Sequence, residues 1–170
     1  MYVFIPAERD PEETRIPLIV EDVAKLIELG AAVHVESGLG RSIGCEDAAY
    51  EKAGAVISSD RIGAMQAADM VLRMSCPTPD EITELKEGSI HVSYMDPFNN
   101  AEVVEAFAAR GVSAISLEMI PRTTIAQKMD VLSSQANLAG YAAVVTAAER
   151  LGKILPMMMT PAGTLSPARF

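Results

Sequence analysis

The chain has 170 residues and is 49% apolar, which is enough for one domain with an extensive core. Its formal net charge of −9 excludes a surface that binds nucleic acid or anionic membranes non-specifically, because such surfaces need basic stripes. No apolar run approaches the roughly 18–20 residues of a membrane-spanning helix, and the first residues lack the basic start of a signal peptide. We therefore expect a cytoplasmic protein whose two cysteines, Cys45 and Cys76, are reduced thiols.

Segments with strand character and segments with helix character alternate along the chain. The predicted strands span residues 2–5, 31–35, 55–57, 70–74, 90–94 and 112–117. The predicted helices span residues 16–29, 46–53, 61–68, 100–110 and 131–151, and a further helix runs from a cap at Thr78 or Asp80 to Leu85. This alternation predicts the α/β class: a doubly wound, mostly parallel, Rossmann- or flavodoxin-like sheet in three layers, ending in a long helix.

A glycine-rich loop follows the second predicted strand, with Gly38, Gly40 and Gly44 in the spacing G-x-G-x(3)-G. Such a loop can cradle a phosphate when it runs directly into a helix. Here a Cys-Glu-Asp stretch interrupts it, so we interpret it as a turn-rich connection, with phosphate binding as the alternative. The histidines His34 and His91 alternate within strands and have no third ligand nearby, so no metal site is expected.

A polar loop lies between the last predicted strand and the long last helix. It carries a cation, an amide, a carboxylate and a hydroxyl, on Arg122, Gln127, Asp130 and Ser133. Ligands of open α/β sheets bind beyond the carboxyl ends of the strands, so these groups are candidate ligand contacts. The alternative is structural: Arg122 pairs with Asp130 to rigidify the loop, and Asp130 caps the helix that starts one residue later.

Residues 121–141 read Pro-Arg-x(4)-Gln-x(2)-Asp-x-Leu-Ser-Ser-Gln-x-Asn-Leu-Ala-Gly-Tyr. This pattern resembles the signature of the alanine dehydrogenase/pyridine nucleotide transhydrogenase family, and it is closer to the transhydrogenase α-subunit branch. In that branch the matching residues surround the nicotinamide ring of NAD(H), so the resemblance implies this role for Arg122, Gln127, Asp130 and Ser133. Their task would be to position the ring for hydride transfer, so no residue is expected to act as a catalytic acid or base.

A Glu-Glu-Thr-Arg-Ile-Pro segment near the start resembles the family's Glu-x-Arg-Val-x-Leu segment, which implies that Arg15 lines the substrate site. The alternative is a surface ion pair of Arg15 with Glu12 or Glu13. Two positions depart from the alanine dehydrogenases, because Ser75 and Asp96 stand where those enzymes carry a Lys and a His that bind and protonate a keto acid. These departures argue against amino-acid dehydrogenation.

The resemblance covers nearly the whole chain but only the N-terminal domain of the family's two-domain unit. Residues 1–170 are therefore predicted to be that single domain, with the helix at about 130–151 as a linker and with the NAD-binding Rossmann domain absent. The segment that ends in Pro167-Ala-Arg169 resembles the one that leads into this second domain. We expect an exposed apolar patch where the second domain would dock.

The resemblance implies a component of a proton-translocating NAD(P) transhydrogenase, namely a portion of its NAD(H)-binding component, which transfers a hydride from NADH to NADP⁺. The implied partners are a second copy in a homodimer and the NADP(H)-binding and membrane-spanning components, through which the chain would be peripheral to the membrane. Alone, the chain is expected to contact only the nicotinamide end of NAD(H), to bind it weakly or not at all, and to be inactive. The alternatives are an alanine dehydrogenase-like domain and a non-catalytic dimerisation or regulatory module of the same fold.

Overall fold

A computed structural model describes residues 1–168 of the chain. Arg169, the last residue of the segment that resembles the lead into a second domain, lies outside the described residues. The chain forms two compact units, unit 1 (Met1–Ile120) and unit 2 (Pro121–Phe170). The assignment of residues 1–170 to one N-terminal domain stays a prediction.

Unit 1 contains a six-stranded parallel sheet with helices between its strands. The strands are β1 (Tyr2–Ile5), β2 (Ala32–Glu36), β3 (Val56–Ser58), β4 (Met70–Leu72), β5 (Ile90–Ser93) and β6 (Ser113–Ser116). The helices are α1 (Val20–Glu28), α2 (Asp47–Lys52), α3 (Arg61–Ala67), α4 (Pro79–Thr83) and α5 (Ala101–Arg110). The strand order is β3-β2-β1-β4-β5-β6 and every neighbouring pair is parallel, which confirms the predicted doubly wound α/β fold.

The central strand β1 is buried on both faces of the sheet. Phe4 packs into a cluster with residues of α3, α4 and α5, whereas Val3 and Ile5 pack into a second cluster with residues of α1 and α2. All three side chains are fully buried. Successive side chains of a strand point to opposite faces, so a continuous apolar run is what a sheet covered by helices on both sides requires.

Helix α1 begins later than the apolar periodicity predicts. It starts at Val20 and not at residue 16, because Pro17 disfavours a helical conformation at Ile16 and the backbone is still extended at Ile19. Its end agrees with the prediction, since Gly30 follows with a φ of +88°. The predicted cap of α4 is Thr78, whose hydroxyl accepts a hydrogen bond from the amide of Glu81.

The glycine-rich loop after β2 uses its donors internally. A 3-10 helix spans Leu39–Ile43 between Gly38 and Gly44, which both have positive φ. The Gly38 amide donates to Oδ1 of Asp47 (2.8 Å) and the Ser37 hydroxyl donates to Oδ2 (2.7 Å). These two bonds, that of Ser37 foremost, lower the pKa of Asp47. The Asp47 carboxylate therefore accepts hydrogen bonds from the donors that a phosphate would need. This favours the interpretation of the glycine-rich loop as a turn-rich connection.

Unit 2 begins with the polar loop and continues into the long helix. Its elements are a 3-10 helix (Ala126–Met129), α6 (Val131–Arg150) and the antiparallel strands β7 (Met158–Thr160) and β8 (Gly163–Leu165). Asp130 caps α6, since its Oδ1 accepts from the Ser133 amide (2.9 Å) and its Oδ2 accepts from the Ser133 hydroxyl (2.6 Å). The long helix and its cap agree with the sequence, whereas the hairpin was not predicted.

Helix α6 carries apolar side chains that remain exposed. No residue of α6 is buried, and the large apolar side chains that are more than half exposed are Leu138, Tyr141, Val144 and Val145. An apolar surface of this kind on a helix is normally covered by further protein. Within the described residues of the chain, no helix is both long enough and apolar enough to cross a membrane.

The buried imidazole of His91 makes the stability of unit 1 depend on pH. His91 is fully buried, its Nε2 lies 3.1 Å from the Ser93 hydroxyl, and its ring lies 5.1 Å from that of Phe107. Burial lowers the pKa of His91 from 6.5 to about 3. Between these two values the unfolded chain binds the proton and the folded chain does not, so stability falls as the pH drops below about 6.5, by about 1.4 kcal/mol per pH unit.

The double variant His91→Leu/Ser93→Ala removes the titrating ring together with its hydroxyl partner. We expect its urea midpoint to fall less than that of the wild type between pH 7 and pH 4.5. The variant His34→Gln, which changes the other histidine, is measured in the same way as the control. Equal losses of stability in the wild type and in the double variant would contradict the assignment to His91.

The cap of α6 predicts a local effect of substituting Asp130. Asp130→Ala removes both acceptors of Ser133, so the first turn of α6 should open and the Ser133 amide should exchange its hydrogen about fivefold or more faster. Asp130→Asn keeps one acceptor and should exchange at an intermediate rate. Hydrogen exchange read by NMR checks this, with Glu149→Ala near the far end of the helix as the control. An unchanged exchange rate for Ser133 in Asp130→Ala would refute the cap.

Candidate functional site

The four residues predicted to bind a ligand line one open depression in unit 2. Arg122, Gln127, Asp130 and Ser133 surround a volume of about 350 Å³ together with two threonines of the loop, Thr123 and Thr124. The start of the loop supplies Arg122, the 3-10 helix supplies Gln127, and the cap and first turn of α6 supply Asp130 and Ser133. The structure therefore brings these four side chains together, although eleven positions separate the first from the last in the sequence.

Asp130 is an ionised hydrogen-bond acceptor in this depression. The hydrogen bond from the Ser133 hydroxyl lowers the pKa of the Asp130 carboxyl most, the Ser133 amide adds to this, and the positive charge of Arg122 contributes further. The predicted direct pairing of Arg122 with Asp130 does not form, since no ion pair joins them among the described residues. Arg122 therefore acts on this carboxylate only at longer range.

The hydrogen bond to Asp130 also fixes what Ser133 offers to a ligand. The hydroxyl proton of Ser133 points to Asp130, so the lone pairs of the Ser133 oxygen remain as acceptors. Gln127 supplies a donor and an acceptor on one planar amide, and Arg122 supplies several donors. Both side chains are exposed. Donors and acceptors side by side suit a planar carboxamide.

Arg15 lies in unit 1 and forms the ion pair that was the alternative for it. Its Nε donates to Glu13 Oε1 (2.8 Å), and its Nη2 donates to Oε2 of the same carboxylate. The guanidinium carbon also lies 5.5 Å from the centroid of the Tyr94 ring. The hydrogen bonds from Arg15 lower the pKa of Glu13. This arginine is thus held by a carboxylate of its own loop.

Ser75 and Asp96, the two residues that depart from the alanine dehydrogenases, both make hydrogen bonds within unit 1. The Ser75 amide lies 3.3 Å from Glu8 Oε1, to which it donates. The Asp96 carboxylate accepts from the side-chain amide of Asn99 at 3.0 and 2.8 Å, and the Asp96 amide donates to Glu118 Oε1 (3.0 Å). Asp96 has a φ of +43°, a left-handed conformation that Asp adopts more readily than most residues. Its carboxylate therefore belongs to a tight turn.

A partly buried group of ionic side chains at the carboxyl edge of the sheet in unit 1 was not predicted from the sequence. We call this group the edge network; its members are Glu8, Glu36, Arg61, Arg73 and Glu81. The sequence held one clue to this group, namely that a charged residue follows β1 closely and another follows β4 directly. Partners that lie far apart in the sequence gave no periodic pattern that could have revealed the pairing.

The described residues hold no group of three or more His, Cys, Asp or Glu side chains that could bind a metal ion. Cys45 and Cys76 are free thiols. Burial raises the pKa of the Cys76 thiol, so it is not an activated nucleophile. The polar depression of unit 2 remains a candidate ligand site among the described residues, because it gathers exposed donors and acceptors.

Comparisons with known proteins agree with the pattern of residues 121–141. The profile described as "Alanine dehydrogenase/PNT, N-terminal domain" matches residues 4–139. An NAD(P) transhydrogenase alpha subunit from Rhodospirillum rubrum is 42% identical over 99% of this chain and 45% of its own length. Alanine dehydrogenase from Bacillus subtilis is 31% identical over 90% of this chain and 39% of its own length.

A solved structure gives the same result. The crystal structure of transhydrogenase from Sinorhizobium meliloti superposes with a TM-score of 0.92 at 45% identity, and it covers 99% of this chain and 50% of that chain. The present chain thus spans about half the length of the relatives that it matches. The chain belongs to the alanine dehydrogenase/PNT family, since the family's N-terminal-domain profile matches most of its residues.

Proposed function

We propose that this chain belongs to the NAD(H)-binding component of an NAD(P) transhydrogenase and that it orients the nicotinamide ring. The observation that carries the proposal is the depression lined by Arg122, Gln127, Asp130 and Ser133. The transhydrogenase relatives, which match over almost the whole chain, support the same assignment. NAD(H) supplies the hydride in such a reaction, and the protein supplies its position.

The side chains of the depression offer a carboxamide both donors for its oxygen and acceptors for its NH₂ group. Arg122 and the Gln127 amide nitrogen donate to the carboxamide oxygen, whereas the Ser133 oxygen and the Gln127 oxygen accept from its NH₂ group. Asp130 holds the Ser133 proton away from the ligand, so Ser133 stays an acceptor. A planar group bound on two sides cannot rotate freely, which fixes the face that the ring presents for hydride transfer.

None of these residues exchanges a proton in this proposal. The lowered pKa of Asp130 keeps its carboxylate ionised near neutral pH. Hydride transfer between two nicotinamides needs no acid or base, so positioning groups are sufficient. The site therefore contains cofactor-binding residues and no catalytic residue.

The partners follow from the reaction. The hydride acceptor, NADP⁺, needs an NADP(H)-binding component, and coupling to proton translocation needs a membrane-spanning component. The chain is then a peripheral protein on the cytoplasmic side, and its exposed apolar helix α6 contacts further protein, including a second copy in a homodimer. The rest of the cofactor is held by a Rossmann domain of the kind that follows in the family, so this chain provides half of the site.

An alanine dehydrogenase-like function is the alternative, because a relative with that name is 31% identical. The environment of Ser75 and Asp96 disfavours it. Neither residue offers the positive charge that would bind a keto acid, and the Asp96 carboxylate is committed to Asn99. Oxidation of alanine by a longer protein that contains this chain would decide for the alternative.

The test is an NMR titration of the chain with NADH. We expect shifts of the backbone signals between residues 122 and 133, with an affinity in the millimolar range because half of the site is present. Gln127→Ala and Arg122→Ala should weaken binding at least about fivefold, since each removes hydrogen bonds to the carboxamide. Gln66→Ala is the matched control, because Gln66 is an exposed glutamine on α3.

A change of ligand tests the recognition of the amide itself. Nicotinamide mononucleotide should bind more tightly than nicotinic acid mononucleotide, because a carboxylate has no NH₂ group for Ser133 and is repelled by Asp130. Equal affinities would contradict carboxamide recognition. Shifts confined to residues outside the loop, or transhydrogenation by the 170-residue chain alone, would contradict the half-site.

A further inference from the structure

The strand order of unit 1 defines a place where such sheets bind ligands. Strands β1 and β4 are neighbours at the centre of the sheet; the chain continues from β1 to β2 on one side and from β4 to β5 on the other. In open α/β sheets, ligands bind beyond the carboxyl ends of such a strand pair. In this chain Glu8 follows β1 and Arg73 follows β4. The side chain of Glu8 is 4% exposed and that of Arg73 is 2% exposed, so the crevice is filled by the protein itself.

The Glu8 carboxylate has the surroundings of a bound oxyanion. Its Oε1 accepts from two consecutive backbone amides, those of Met74 (2.6 Å) and Ser75 (3.3 Å). Its Oε2 lies 3.5 Å from Nη2 of Arg73. Successive backbone amides together with a guanidinium are the donor set with which proteins bind phosphate and carboxylate ligands. Here the anion comes from the chain.

The rest of the edge network holds this arrangement in place. Arg73 Nη1 lies 2.9 Å from Glu81 Oε2, and Arg61 lies 3.2 Å from the other oxygen of Glu81 and 2.6 Å from Glu36. Arg61 also donates to the carbonyl of Ala7 (2.8 Å), directly before Glu8. Three carboxylates and two guanidiniums give the network a net charge of −3 + 2 = −1, which repels a further anion.

We propose that Glu8 is an internal ligand: its carboxylate occupies the oxyanion site at the centre of the sheet edge. This contact closes the crevice of unit 1 to phosphates and small carboxylates, and it fixes the loop that carries Met74 and Ser75. The Glu8 side chain thereby prevents an anionic ligand from binding at the carboxyl ends of β1 and β4. The inference does not depend on the function proposed for unit 2.

Chemical rescue tests this inference. Glu8→Ala removes a CH₂–COO⁻ group, which has the size and charge of acetate, and it takes one of two carboxylate partners away from the buried Arg73 guanidinium. We expect the melting temperature of the full chain to fall by about 10 °C. Acetate should then restore several degrees with a saturable dose dependence, as expected for a ligand that binds the folded state.

Three controls separate this rescue from general effects. Acetamide has nearly the same shape without the charge, and sodium chloride at equal ionic strength has the charge without the shape; neither should rescue Glu8→Ala. Glu12→Ala, a neighbouring exposed glutamate, should show no acetate effect beyond chloride. Glu8→Ala/Arg73→Met should lose the rescue, since the guanidinium that would bind acetate is gone.

Two outcomes overturn the proposal. One is a Glu8→Ala variant that acetate stabilises no more than chloride does. The other is a wild-type protein that acetate or phosphate stabilises saturably, because the site would then be open. If Glu8→Ala does not fold, hydrogen exchange in the wild type decides: slow exchange at Met74 and Ser75 that is independent of phosphate supports the proposal, and fast exchange refutes it.

Discussion

Burial of β1 on both faces is the constraint on which the rest of unit 1 depends. A strand with no exposed face brings the polar groups that follow it into a region without free access to water, where each group needs a partner within the protein. Glu8, after β1, finds the amides after β4, and Arg73 finds Glu8 and Glu81. The ionic contacts at the sheet edge are thus a consequence of how deeply the central strand is buried.

The two units differ in how their polar groups are used. In unit 1 the carboxylates near the sheet edge accept from groups of the same unit: Glu13 from Arg15, Glu8 from Met74, and Asp96 from Asn99. In unit 2 the Asp130–Ser133 contact orders the loop but leaves donors and acceptors exposed around it. In unit 1 the carboxylates of the chain thus use donors that an anion could otherwise bind. In unit 2 donors and acceptors remain with which a ligand can form hydrogen bonds.

The sequence predicts local features well and long-range pairing poorly. The apolar periodicity predicted the alternating strands and helices, and the place of Asp130 directly before the last helix predicted the cap of α6, because both depend on neighbours a few residues apart. The hairpin of β7 and β8 was missed because its short strands carry no alternating pattern, and most of their residues are exposed. The contact between Glu8 and Met74 spans 66 residues, so only the folded sheet reveals it.

Relatives in this family include both transhydrogenases and alanine dehydrogenases, so the shared fold alone cannot decide between these activities. The residues at the carboxyl ends of the strands distinguish between the two activities. A small acid bound in unit 1 would meet the carboxylates of Glu8, Asp96 and Glu118, to each of which an amide of the chain already donates. A neutral carboxamide makes no demand for positive charge, and unit 2 offers the mixed donors and acceptors that it needs. The distribution of charge between the two units therefore supports the proposal that this chain orients a nicotinamide and not an amino acid.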